Sequence, residues 1–311
     1  MLRRVLLAAS GSQQVRRYLT AMPLTRGVVE RFVAGETAAD AIAVAQRLVA
    51  DGMLVTIDYL GEDTVDPEQA AAVAAEYVGL IDALRTAGLT AGGRAEVSVK
   101  PTAVGLGLPE HGHKTARENI ARICTAARNA GTTVTIDMED HTRVDETLRL
   151  VGEIRKDFPD VGCVLQSYLR RTPGDCETLA ASGSRVRLCK GAYRAPDGVA
   201  FAAKSEVDRS YARCLRILMD GPGYPMLATH DSRLIEITGS KASAAGRAAD
   251  SFEYQMLYGI RPGEQRRLAA DGAQVRVYLP YGDDWYGYLV RRLAERPANL
   301  LFFLRALTAR R

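Results

Sequence analysis

Long apolar runs are missing from this sequence. No stretch of 18 consecutive hydrophobic residues occurs, so no transmembrane helix is expected. Cysteine is scarce: Cys124, Cys163, Cys176, Cys189 and Cys214 are an odd number with no C-x-x-C. Neither a disulfide framework nor a cysteine zinc cluster is expected, and a reduced cytoplasm is the default compartment. Four histidines give a metal hydrolase little support. No G-x-G-x-x-G follows the first strand-like run and no P-loop occurs, which weighs against a dinucleotide-binding Rossmann domain. Charge of one sign is lacking too: 41 Lys and Arg against 37 Asp and Glu leave +4. That balance suits anionic ligands or lipid headgroups without demanding nucleic acid. Aromatics are 6% of the chain and show no RNA-binding signature, so no nucleic-acid partner is expected.

The chain opens as MLRRVLLAASGSQQVRRYL, which has the look of a signal peptide, but the apolar run 5–9 is too short for its core. A basic helix carrying Arg3, Arg4, Arg16 and Arg17 is expected instead. Its first role is packing on its own domain; peripheral contact with the anionic inner face of a membrane is the second.

Short β-rich runs alternate with longer helical stretches. The runs are MLVTIDYLG (53–61), AEVSVKP (95–101), TTVTIDMED (132–140), VGCVLQSY (161–168), RVRLCKGAY (185–193), YPMLATHD (224–231), SFEYQMLYG (251–259) and QVRVYLPYG (274–282). Between them lie segments rich in Ala, Leu and Arg, clearest at 67–84 and 115–129. Eight such pairs predict an α/β fold, a (βα)8 TIM-type barrel with extra N-terminal helices, and a doubly wound open sheet is the runner-up. With no linker or break in composition, residues 1–50 are expected to be a helical extension packed on a barrel of residues 51–311.

Barrel chemistry gathers at the C-terminal ends of the strands. Those ends offer Asp58, Lys100, Asp137, Glu139, Gln166, Arg187, Lys190, Tyr193, Thr229, His230, Glu253, Gln255 and Tyr278. The segment after the eighth run, DDWYGYLVRRLAER, has its own geometry as a helix. At about 100° per residue, Tyr288 lies one turn before Arg291 and Arg292, and Glu295 one turn after. Such neighbours meet on a helix surface. Two readings follow: a solvated helix with Arg–Glu pairs, or two guanidinium forks aimed at a carboxylate.

The segments SVKPTAVGLGL, TIDMED, VLQSYLRRT, RLCKGAY, ATHD, FEYQMLYG, RVYLPYG and YLVRRLAER, in this order over about residues 53 to 300, resemble those of the proline dehydrogenases. These are flavoenzymes that oxidise L-proline to 1-pyrroline-5-carboxylate in a distorted (βα)8 barrel with noncovalent FAD. The resemblance implies that Arg291 and Arg292 bind the proline carboxylate, that Lys100 supports the same anionic end, and that Glu295 pairs with the arginines. It places Tyr278 and Tyr288 in the pocket wall, with Tyr193 a further candidate, and the bulk of Tyr278 favours proline over hydroxyproline. Asp137 would act near flavin and substrate by electrostatics and positioning. Its alternative is an ion pair with a barrel cation. Arg187 would stabilise negative charge on reduced flavin. Gln166 would hydrogen-bond the flavin, Lys190, Gly191 and Ala192 would approach the cofactor at a tight turn, and Thr229 and His230 would bind its adenine-nucleotide half. Taken alone, His230 reads equally well as a structural histidine.

Two features sit beside that pattern. The family's ATHN is ATHD here, with Asp231, and the pair His111 and His113 in GLGLPEHGHKT reads as loop, with metal a poor second. The chain lacks room for the aldehyde dehydrogenase module of bifunctional relatives, which implies metabolic coupling to a separate glutamate-semialdehyde dehydrogenase. A membrane quinone is the implied electron acceptor. A pyridoxal-phosphate enzyme using Lys100 or Lys190, and a non-catalytic barrel that binds an acidic metabolite, are the competing classes.

Overall fold

A computed structural model describes residues 29–61, 63–285 and 288. Eight strands close into a barrel in sequence order: β1 (Leu54–Tyr59), β2 (Ala95–Val99), β3 (Val134–Ile136), β4 (Gly162–Gln166), β5 (Arg185–Cys189), β6 (Tyr224–Ala228), β7 (Glu253–Leu257) and β8 (Val275–Tyr281). All neighbours are parallel, and β8 closes on β1 with Val55 opposite Val277. The eight runs are thus the eight strands, trimmed at their ends.

Alternation along each strand separates two surfaces. Val55, Ile57, Val97, Val99, Val134, Ile136, Val186, Leu188, Val277 and Leu279 are fully buried under the helices. Each contributes roughly 1.5–3 kcal/mol on burial. The positions between them, among them Thr56, Glu96, Ser98, Thr135, Arg187 and Arg276, face the barrel interior. Their side chains reach one another across strands that are not neighbours, as when Arg187 of β5 donates to Ser98 of β2.

Among the described residues, the α-helices before and between the strands include α1 (Ala38–Ala50), α2 (Pro67–Thr86), α3 (Gly112–Asn129), α4 (Val144–Ile154), α5 (Thr172–Ala181), α6 (Lys204–Asp220), α7 (Ser232–Ala244) and α8 (Pro262–Ala270). α2 starts where Asp66 accepts from the Gln69 N–H at 2.8 Å and Pro67 occupies the first turn. It stops before Gly88, whose φ of 71° suits glycine. Its buried stripe is Ala70, Ala74, Tyr77, Ile81 and Leu84, at helical spacing. α3 likewise buries Ala116, Ile120, Ile123 and Ala127, and begins three residues earlier than the segment read from sequence. His113 therefore stands in a helical first turn and not in a loop: the helix begins at Gly112, where a side chain would meet the Leu106 carbonyl at 2.8 Å.

α1 precedes the barrel in sequence and packs against β8 and β1. It buries Ala41, Val44 and Ala45 over the seam where the barrel closes. After β8, Trp285 and Tyr288 are buried, and Tyr288 lines the mouth of the barrel.

Candidate active site

The barrel floor carries charge where a simple barrel carries aliphatic layers. Glu96 accepts from Thr56 and Thr135 at 3.0 and 3.1 Å and from Arg185 at 2.9 Å. Burial pushes its carboxyl upward, but Arg276, Arg185 and Arg187 outweigh burial and hold it down at about 2. Arg276 donates through Nε to Glu253 at 2.8 Å and through Nη1 to the Val55 carbonyl at 2.8 Å. Glu253 therefore belongs to the floor, not to the mouth where the strand-end reading put it. β7 starts at this residue, two positions later than the run suggests.

Above the floor lies a cluster around Arg187. Its Nη1 donates to Asp137 Oδ1 at 2.7 Å and to Ser98 Oγ at 2.8 Å, and its Nε donates to Gln255 Oε1 at 2.6 Å. Ser98 itself donates to Asp137 Oδ1 at 2.8 Å, and Tyr278 Oη donates to Asp137 Oδ2 at 2.9 Å. The guanidinium carbon stands 5.3 Å from the centre of the Tyr278 ring. Burial first, then the Asp137 and Asp58 carboxylates, push the Tyr278 phenol well above its usual range, so it stays a donor at physiological pH. The ion pair that was the alternative reading of Asp137 exists, and its cation is Arg187. The two residues act as one unit.

Lys100, the first residue after the end of β2 at Val99, is buried. Its ammonium meets both oxygens of Asp58 at 2.7 and 2.6 Å. Burial raises the Asp58 carboxyl and Lys100 opposes that shift. Lys100 therefore reaches the mouth with its charge already matched, a pairing that sequence reading had not made.

The opposite wall of the mouth comes from β4 to β6. Gln166, the last residue of β4, donates through Nε2 to the Met138 and Glu139 carbonyls at 3.0 and 2.9 Å. Those two bonds fix its amide, and its buried Oε1 has no partner among the described residues. Gly191 follows with φ of 96°, and a Cβ there would meet the Tyr168 ring at 2.2 Å and Gln166 Oε1 at 3.1 Å. Lys190 donates to Asp208 at 2.6 Å and to Asp231 at 3.0 Å, and Lys204 pairs with the same two carboxylates. Burial pushes the Asp231 carboxyl up, but the two ammoniums outweigh it and hold it at about 2. His230 accepts the Leu257 N–H on Nε2 at 2.9 Å, the structural use that its sequence left open. Arg261 donates to its carbonyl at 2.7 Å.

These walls enclose a cavity of about 750 Å³, within the range of small-molecule sites. Lys100, Asp137, Gln166, Arg187, Lys190, Gly191, Ala192, Thr229, His230, Tyr278 and Tyr288 all line it, as do Tyr193 and Asp58. Arg291, Arg292 and Glu295 lie outside the described residues. His113, by contrast, is on the outer face, where Nε2 meets Glu153 at 3.0 Å and Nδ1 meets Arg149 at 3.1 Å. Sequence reading missed Ser98, Glu96, Arg185 and Arg276. The signal for the first two was their even spacing from Lys100, and for Arg276 its even spacing from Tyr278.

The family model described as proline dehydrogenase matches residues 41–305. The proline dehydrogenase of Deinococcus radiodurans is 42% identical over 90% of this chain and 90% of its own. Proline dehydrogenase 1 of Bacillus subtilis is 37% identical over 99% of both chains. Among solved structures, that of proline utilization A (PutA) from Bdellovibrio bacteriovorus inactivated by N-propargylglycine superposes with a TM-score of 0.81 at 25% identity. The match covers 87% of this chain and 33% of that longer one.

Proposed function

The chain belongs to the proline dehydrogenase family and oxidises proline in its catabolism, and from that premise we propose that it does so with noncovalent FAD, yielding 1-pyrroline-5-carboxylate. The observation that carries this reading is the single cavity on which eleven motif residues from six strands and the last described turn converge. Two features of that cavity fit a flavin. The buried Gln166 Oε1 is an acceptor held ready for a ring N–H. The missing Cβ at Gly191 leaves backbone open to close approach. Lys190 and Lys204 supply cations on the same side for the cofactor's phosphates. When bound, FAD supplies the two-electron acceptor.

The residues of the chain then have distinct tasks. Arg291 and Arg292 take the substrate carboxylate as bidentate forks, a role assigned on their motif, with Lys100 beside them. Tyr278 and Tyr288 present apolar faces to the pyrrolidine ring. The tyrosine hydroxyl of Tyr278 is committed to Asp137, so the ring is held in one place. Arg187 stabilises negative charge at the reacting centre. Asp137 accepts from Arg187, Ser98 and Tyr278, which suits it to orientation more than to proton abstraction. The amine proton therefore leaves to solvent before oxidation. A quinone reached at the membrane surface takes the electrons onward, and a separate glutamate-semialdehyde dehydrogenase consumes the product.

The test is the visible spectrum of the purified protein, followed by L-proline without oxygen. A flavin spectrum that bleaches supports the reading. A flavin that stays oxidised rejects proline as the reductant, and a protein that takes up no added FAD rejects the cofactor.

A further inference from the structure

Beneath the mouth, four side chains form a chain of hydrogen bonds whose direction is forced. Arg276 Nε donates to Glu253 Oε1 at 2.8 Å. Gln255 Nε2 donates to the same oxygen at 2.5 Å, and Gln255 Oε1 accepts from Arg187 Nε at 2.6 Å. Tyr224 Oη donates to the other Glu253 oxygen at 3.2 Å. Glu253, Gln255, Arg187 and Arg276 are all buried.

An amide side chain can present either end, and only its neighbours decide which. Here a carboxylate lies on one side and a guanidinium on the other. The ionised carboxylate only accepts and the guanidinium only donates. The amide must therefore turn its nitrogen to Glu253 and its oxygen to Arg187. A flipped amide would lose both bonds at once and set donor against donor. Arg187 sits on β5 and Gln255 on β7, with β6 between them, so the contact spans the barrel interior and is not part of the sheet ladder.

We propose that Gln255, with its amide polarity set by Glu253, is a positioning residue that aims the Arg187 guanidinium at the reacting centre. Asp137 and Ser98 hold the Nη1 corner of Arg187, and Gln255 holds the Nε corner. Nη2 stands farther from its neighbours, 3.5 Å from Thr56 Oγ1 and 3.6 Å from Glu96 Oε1, so the close contacts that fix the plane of the guanidinium are those at Nη1 and Nε. The inference rests on the reading that Arg187 serves the bound flavin.

The test compares Arg187→Ala, Gln255→Leu and Gln255→Glu as FAD-loaded proteins. It reads the midpoint potential of the bound flavin, the FAD dissociation constant and the anaerobic rate of reduction by proline. Gln255→Leu is expected to slow reduction roughly ten- to a hundred-fold, the range for losing one hydrogen bond to a charged group. It should also move the potential in the same direction as Arg187→Ala, with FAD affinity little changed. Gln255→Glu adds a pH signature. Protonated, the introduced carboxyl reproduces the amide: its O–H donates to Glu253 and its C=O accepts from Arg187. Ionised, it faces Glu253 on its own strand, with Arg187, Arg276, Glu96, Asp137 and Tyr224 the other charged or titratable groups around it. Its reduction rate and flavin potential should therefore approach those of the parent at low pH and depart from them as pH rises.

If Arg187→Ala changes neither potential nor rate, the underlying reading of Arg187 fails. If Arg187→Ala changes them and FAD-loaded Gln255→Leu does not, the positioning role of Gln255 is overturned. Should Gln255→Leu not fold, a Gln255→Glu pH profile parallel to that of the parent overturns it equally.

Discussion

Asp58 grips the Lys100 ammonium with both carboxylate oxygens, at 2.7 and 2.6 Å, and both side chains are buried at the barrel mouth. Removing one partner of such a pair strands the other charge in a poor solvent, which typically costs about 3–5 kcal/mol. Asp58→Asn and Lys100→Met are each expected to destabilise by that order. The double variant should lose clearly less than the sum, because neither orphan charge remains. Urea unfolding of the four proteins checks this. Additive losses would mean that the two side chains are independently solvated.

Gly191 is expected to tolerate no side chain. Its φ of 96° strains any L residue, and the Cβ of alanine would stand 2.2 Å from a Tyr168 ring carbon. Gly191→Ala should push Tyr168 aside and crowd Gln166, the wall proposed for the flavin. FAD retention through gel filtration should fall at least about tenfold, the effect of about 1.4 kcal/mol. Retention equal to the parent would remove this turn from the cofactor site.

The Asp58–Lys100 pair and Gly191 differ in how far the sequence shows them. Lys190 was legible as the end of a β-rich run, and Gly191 through the resemblance that RLCKGAY carries. The barrel was legible for a related reason: outward apolar side chains recur at every second position of the strands, mostly Val, Ile and Leu, with Cys163, Tyr254 and Met256 among the exceptions. The Asp58–Lys100 pair was not, since it depends on the register of β1 against β2, which sets Asp58 opposite Ser98 and brings Lys100 within reach. The floor was hidden by the same ignorance of register. Glu96, Arg185 and Arg276 read singly as charges within apolar runs, and only the closed barrel makes them mutual partners. α1 was expected as part of a helical extension packed on the barrel, but not as the cover of the seam, because β8 lies far from it in sequence.

Glu96 should give the protein an acid-sensitive floor. Its carboxyl is held at about 2 in the fold against an ordinary 4.5, burial being outweighed by Arg276, Arg185 and Arg187. A depressed folded value contributes stability that is full above about pH 4.5 and is lost as pH falls toward about 2. Glu96→Gln removes this contribution and leaves three guanidiniums short of a carboxylate, at a cost of about 3–5 kcal/mol near neutrality. The gap between parent and variant should then narrow below pH 4.5. Denaturant midpoints at pH 7, 5, 4 and 3 test it, and a gap that stays constant would mean that Glu96 is not ionised in the fold.

Asp231 competes with the cofactor in the proposed site. Lys190 and Lys204, assigned to the phosphates of FAD, are both paired with Asp231 and Asp208 in this structure. A phosphate that approaches must share those cations with two carboxylates. Asp231→Asn removes one competing charge while keeping the helix cap, since the Asp231 oxygen that accepts from the Arg233 N–H has an equivalent in asparagine. The fold should be little affected, and the FAD dissociation constant should fall several-fold at low salt. The gain should shrink as ionic strength rises, because the site is partly exposed and screening acts over about 10 Å at 0.1 M. It should stay level between pH 5 and 8, since the Asp231 carboxyl, held at about 2 with burial outweighed by the two lysines, keeps its charge throughout. Fluorescence titration of the FAD-free variant at two salt concentrations decides the matter. An unchanged or weaker affinity would place the phosphates away from Lys190.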